Sequence, residues 1–161
     1  MGERPPERIE LAGMGASEPA TAAPLDRLAF VHDRNALAIY RFEAGHPAQA
    51  LLGSSLLDLF IHLSPDGRRI AFQSRRGGEG NEIWLAAADG SNPMALTHGP
   101  GIWQGSPRWS PDGQQIAFDS QAEDGKWDIW TIDADGGSPR RLTRGAGNKS
   151  LPSEVVSETA P

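Results

Sequence analysis

The chain has 161 residues, 38% hydrophobic and 22% charged, with a net charge of −6 and no cysteine. That length suits one ordinary domain. The missing cysteines exclude disulfides, cysteine-held zinc and thiol catalysis, and no Lys/Arg run offers a nucleic-acid footprint or a polybasic membrane anchor.

Residues 1–24 are rich in Pro, Ala, Glu and Gly. They lack the basic start and apolar run of a secretory signal. No window of the chain nears the roughly 18 apolar residues of a membrane-spanning helix. The stretch reads as a disordered tail.

Residues 25–52 carry a weak unit, with Leu28-Ala29-Phe30 and Ala38-Ile39-Tyr40 as its apolar cores. Residues 57–97 and 103–143 carry two strong ones. Ser64-Pro65-Asp66-Gly67 recurs as Ser110-Pro111-Asp112-Gly113, and Ile70-Ala71-Phe72 as Ile116-Ala117-Phe118. Ile83-Trp84, Ala88-Asp89-Gly90, Pro93 and Leu96-Thr97 also recur, always 46 positions later. Sixteen of the 35 positions from Ser64 to His98 are identical at that offset. A fixed period of this size marks a repeat architecture. Residues 148–153 resemble the start of another unit, and 154–161 read as a second disordered tail.

Within residues 106–143 the pattern predicts four short strands. They are Pro107–Ser110, Gln115–Ser120, Trp127–Ile132 and Pro139–Thr143. Pro-Asp-Gly supplies the first turn, because Pro presets φ and Gly takes the positive one. Asp135-Gly136 supplies a hairpin turn. The proline in the fourth strand suits an edge. Ile116-Ala117-Phe118 and Ile129-Trp130 place neighbouring apolar residues on opposite faces, so both faces are buried. Four antiparallel strands per ~40–50 residues is one blade of a β-propeller. The fold class is therefore all-β, with propeller blades of about 46 residues. Two full blades, a partial one and the start of another fall short of the roughly four to eight of a closed ring, so residues 25–153 read as a propeller fragment.

Ser110-Pro-Asp-Gly-Gln-Gln-Ile-Ala-Phe118, Asp128-Ile-Trp130, Asp133-Ala-Asp-Gly136 and Pro139-Arg-Arg-Leu-Thr143 resemble the WD40-like repeat of bacterial TolB propellers, over about residues 25–150. The resemblance implies a non-enzymatic module that binds a protein, peptide or small ligand, and it points to the periplasm, though this chain shows no export signal. Related blades serve as accessory propellers of prolyl-oligopeptidase-like and tricorn-like peptidases, and as sensor regions of winged-helix regulators and kinases. No Gly-x-Ser-x-Gly elbow occurs here, so catalysis by a hydrolase domain is not expected of this segment.

The chemistry-bearing residues read mainly as structural. His32, His46, His62 and His98 have no metal spacing, Asp133-Ala-Asp135-Gly136 lacks the rest of a calcium loop, and Asp66 and Asp112 belong to turns on separate blades. No cofactor or metal is expected. Variable loops on a rigid scaffold are the expected recognition surface. These are Arg75–Asn81, His98–Gly105 and Gln121–Lys126. The candidate partner-binding residues are Trp103 and Trp127, which lie outside the matched apolar positions, with Arg76, Glu79 and Lys126 from the loops. Trp is a frequent anchor at interfaces. Exposed blade faces also invite self-association.

Overall fold

The repeated Ser-Pro-Asp-Gly motif folds identically in both strong units. Ser64 Oγ donates to Asp66 Oδ1 at 2.6 Å and accepts from the Arg69 amide at 2.9 Å. Asp66 Oδ1 also accepts from the Arg68 amide, and the Gly67 amide closes the turn on the Ser64 carbonyl. Ser110, Asp112, Gln114, Gln115 and Gly113 repeat these bonds to within 0.1 Å. Gly67 and Gly113 sit at φ of 66° and 70°, the left-handed region a glycine enters without a Cβ penalty. Ser110→Ala should cost about 1–2 kcal/mol, because one hydroxyl serves two partners. Urea denaturation of the variant checks this.

The computed structural model describes residues 16–22, 27–33, 37–43, 46–53, 57–78, 80–99, 101–122 and 124–144. They form twelve strands. The first four are β1 (Ala16–Ala22), β2 (Arg27–Asp33), β3 (Leu37–Glu43) and β4 (Gln49–Gly53). The second set is β5 (Leu59–Leu63), β6 (Arg69–Ser74), β7 (Glu82–Ala87) and β8 (Met94–Ala95). The third is β9 (Trp103–Trp109), β10 (Gln115–Gln121), β11 (Trp127–Asp133) and β12 (Arg140–Arg141). Each set is one four-stranded antiparallel sheet in chain order.

These sheets are blades. β1 packs on β5 and β5 on β9, whereas no comparable packing joins β4, β8 and β12 among the described residues. The first strands therefore converge and the last diverge. Between the first two blades lie Ile39, Leu52, Ile61, Leu63, Ile70 and Phe72. Between the second and third lie Ala71, Ile83, Leu85, Leu96, Trp109, Ile116 and Phe118. Ile70 and Phe72 thus point one way and Ala71 the other, as a sheet covered on both faces requires.

Two expectations need correction. Residues 1–24 are not all tail, since Ala16–Ala22 forms β1 and pairs with β2. The first blade is thus four-stranded rather than partial. His98–Gly105 is not all loop, since β9 begins at Trp103. The stretches 148–153 and 154–161 lie outside the described residues.

Each first strand carries the same irregularity. The ladder skips a residue between Ser17 and Ala20, between Leu59 and His62, and opposite Ala117–Asp119 in β9. In every blade the two extra residues oppose the central phenylalanine of the second strand, Phe30, Phe72 or Phe118. Phe60 and Ser106 take φ of 51° and 50° there. A bulge bends its strand and increases its twist.

Bonds between blades supplement the apolar packing. The Trp109 amide donates to His62 Nδ1 at 2.9 Å, and Trp109 Nε1 donates to the His62 carbonyl at 3.1 Å. Arg69 stacks 4.7 Å from the Trp109 ring and donates to the Ala134 carbonyl. Only a neutral imidazole can accept at Nδ1. Burial, helped by the Arg108 charge, pushes the His62 pKa down from 6.5 to about 4. The unfolded chain then binds a proton between pH 6.5 and 4 that the folded chain refuses. Stability is complete above pH 6.5 and falls as pH approaches 4. After allowance for partial solvent access the loss is about 2 kcal/mol. Denaturation midpoints should fall more steeply over this window in the wild type than in His62→Gln. Equal slopes would contradict the assignment.

Candidate functional site

The two ends of the blades differ in kind. One end carries the tight Ser-Pro-Asp-Gly and Ala-Asp-Gly turns. The other carries the β6–β7 and β10–β11 loops and the crossing from β8 to β9. All four described candidates, Arg76, Trp103, Lys126 and Trp127, lie at this loop end. Glu79 lies outside the described residues.

Antiparallel register sets the two tryptophans in one row, on either side of Gln121. Trp103 on β9 pairs with Gln121 on β10, and Gln121 pairs with Trp127 on β11. Both tryptophans are half-buried. Gln121 Nε2 donates to the Gly125 carbonyl and the Ala122 amide donates to the Lys126 carbonyl, each at 2.9 Å, so the loop between them is pinned. The Asn81 amide donates to the Ile102 carbonyl, and the Gln104 amide donates to the Asn81 carbonyl. This ties the β6–β7 loop to the start of the third blade. A Cβ on Gly101 would fall 2.0 Å from the Gln121 carbonyl oxygen, so only glycine lets the crossing strap lie this close.

The charged candidates play different parts. Arg76 turns inward to an ion pair with the fully buried Asp58, donates to Ser74 Oγ at 3.2 Å, and lies 5.3 Å from the Phe72 ring centre. Lys126 bonds Asp124 at 2.7 Å, with both side chains more than half exposed. Their mutual hydrogen bond raises the ammonium pKa and lowers that of the carboxyl.

Arg75, which opens the candidate loop Arg75–Asn81 but is not among the named candidate residues, is the cation that stacks on Trp103. Its guanidinium carbon lies 4.5 Å from the Trp103 ring centre, and its Nε donates to Asn81 Oδ1 at 2.9 Å. Such stacking is worth about 0.5–1 kcal/mol at a partly exposed site. Ile102, 62% exposed, stands beside Trp103. The rim therefore presents aromatic, aliphatic and guanidinium surface held by backbone bonds.

The carboxylates of the opposite end are committed to turns. The Ser64 hydroxyl and the Arg68 amide hold the Asp66 pKa below its usual value, and the Ser110 hydroxyl and Gln114 amide do the same at Asp112. Asp133 and Asp135 belong to the β11–β12 hairpin, where the Gly136 amide bonds the Asp133 carbonyl. Among the described residues no three His, Asp or Glu side chains gather as metal ligands, and no helix is long and apolar enough to cross a membrane.

Residues 27–156 match the family described as the TolB β-propeller domain. The chain belongs to that family. Its fold is that of TolB from Acinetobacter baumannii, with a TM-score of 0.73 at 24% identity, covering 84% of this chain and 34% of that one. A putative TolB from Agrobacterium tumefaciens gives 0.73 at 23% identity, covering 81% of this chain and 50% of that one. The β-propeller domain of the Trilobed protease from Pyrococcus furiosus gives 0.64 at 18%, covering 81% and 43%. This TolB-type propeller thus spans half or less of each of these structures. A search of curated proteins gives no match.

Proposed function

We propose that this TolB-type propeller binds a protein or peptide partner at its loop end and catalyses no reaction itself. The observation that carries the reading is the row Trp103, Gln121 and Trp127, with Arg75 stacked on Trp103. Amphipathic aromatics and arginine dominate binding energy at interfaces. Here the two tryptophans open strands β9 and β11 and Arg75 directly follows β6, held by its bond to Asn81, so little ordering entropy is lost on binding. The carboxylates of Asp66, Asp89 and Asp112 accept hydrogen bonds within their own turns, which leaves them poorly placed as a general acid.

Selection of displayed random peptides on the folded chain tests this reading. Selected peptides should lose at least about tenfold in affinity on Trp103→Ala or Trp127→Ala, in line with a hot-spot aromatic. Met94→Ala, at the outer edge of the second blade and 61% exposed, should leave affinity unchanged. Peptides indifferent to both tryptophans, or hydrolysed by the chain, would overturn the proposal.

A further inference from the structure

We propose that Asp135-Gly136 is a site of self-modification, where the Gly136 amide nitrogen closes on the Asp135 side chain and the residue becomes isoaspartate. The chain holds five Asp-Gly pairs, which begin at Asp66, Asp89, Asp112, Asp124 and Asp135. Their turns share one backbone. Each glycine has a positive φ, from 66° at Gly67 to 100° at Gly136. Each glycine amide donates to the carbonyl three residues back, at 2.8 or 2.9 Å. The attacking nitrogen is therefore held alike in all five, and only the carboxyl group differs.

Four of the five carboxylates are tied twice. The amide two residues on donates to Asp66, Asp89, Asp112 and Asp124 at distances of 2.9 to 3.1 Å, the bond of an Asx turn. A side chain supplies the second bond. The Ser64, Ser91 and Ser110 hydroxyls donate at 2.6 Å, and the Lys126 ammonium at 2.7 Å. These donors, the side chain more than the amide, hold all four pKa values below the usual carboxylate value. Ring closure needs the opposite: a carboxyl group that is neutral and free to turn toward the glycine nitrogen. Among the described residues Asp135 meets only Arg69 Nη1, at 3.4 Å, and its side chain is 97% exposed. That distance is too long for a firm hydrogen bond. The repeat shows what is missing. Position 137 holds glycine where the second blade has Ser91, and Ser91 gives Asp89 both of its bonds.

The step balances without a cofactor. The bond from the Gly136 nitrogen to Asp135 Cγ forms, the carboxyl hydroxyl breaks away, and the amide proton leaves with it as water. Water then adds at the Asp135 main-chain carbonyl carbon and breaks its bond to the Gly136 nitrogen. The backbone now runs through the side chain and is a methylene longer. The change falls in the hairpin whose Ala134 carbonyl receives Arg69 from the second blade. It lies at the turn end, apart from the loop-end rim and from the binding role assigned to it.

Ageing the full chain for weeks at neutral pH and body temperature tests the proposal. The digested peptides are then labelled with an isoaspartate-specific carboxyl methyltransferase. Asp135 should gain label at least about tenfold faster than each of the other four, since a hydrogen bond to a charged group is worth that factor or more. A chain aged in urea should label all five at comparable rates. Ser91→Gly, aged folded, should bring Asp89 up to the rate of Asp135. A folded chain with no label at Asp135, or with label spread evenly over the five, overturns the proposal. So does an Asp89 that stays protected in Ser91→Gly, or a preference for Asp135 that persists in urea and so belongs to local sequence.

Discussion

Phe72→Ala is expected to destabilise the chain by about 3–5 kcal/mol, the usual cost of emptying a phenylalanine site that cannot collapse. Phe72 is fully buried between the first and second blades and stands opposite the bulge of β5. The bulge fixes the backbone around the ring, so the walls of the cavity have little freedom to close. A small domain holds only about 5–15 kcal/mol in total, so the variant should approach the unfolding threshold. Phe118→Ala should behave alike, because Phe118 holds the same place between the second and third blades. Guanidinium denaturation measures both. A loss under about 1 kcal/mol, the level of an ordinary surface change, would contradict the stacked-blade packing.

Arg76→Met should cost about 3–5 kcal/mol, while Asp58→Ala should cost less, about 2–3 kcal/mol. Breaking a buried pair hurts mainly through the charge left behind. Asp58 has no solvent exposure, so removing Arg76 strands a carboxylate in the interior. The Arg76 side chain keeps 16% exposure and two aromatic neighbours, Phe72 and Trp84, so it can reach water when Asp58 is gone. Replacing both, as Asp58→Leu with Arg76→Met, should recover most of the loss. Denaturation of the two singles and the double closes the cycle. Equal costs for the two singles would show that burial does not control this pair.

The fold was legible where chemistry repeats. Ser-Pro-Asp-Gly, Ile-Ala-Phe and Ile-Trp each mark a fixed place in the blade, and Leu-Thr marks the outer strand because Thr97 and Thr143 accept the amides of Ile83 and Ile129. The first strand was legible only in part. Ala16–Ala22 holds alanine, two hydroxyl residues, a glutamate and a proline, a composition that argues against a strand. Its place comes from the bulge, where Glu18-Pro19 does the work of Phe60-Ile61 and Ser106-Pro107, three pairs that share only the proline of the first and third. The candidate site was half legible for a similar reason. The tryptophans stood out as large residues off the repeat pattern. Arg75 looked no different from Arg76 beside it. Alternation sends the first across to Trp103 on the next blade and the second back to Asp58.

The turn end bears on how such a chain can change. A Cβ on Gly113 would lie 3.6 Å from Pro65 Cδ of the preceding Ser-Pro-Asp-Gly turn, and Arg69 reaches the hairpin carbonyl of Ala134 in the neighbouring blade. Each turn is thus part of its neighbour's seat, and an inserted residue there would unseat two blades at once. Growth in length is confined to the opposite rim, where connections are anchored only at their bases. New specificity in such an array can therefore arise by lengthening one rim while the other stays at constant count.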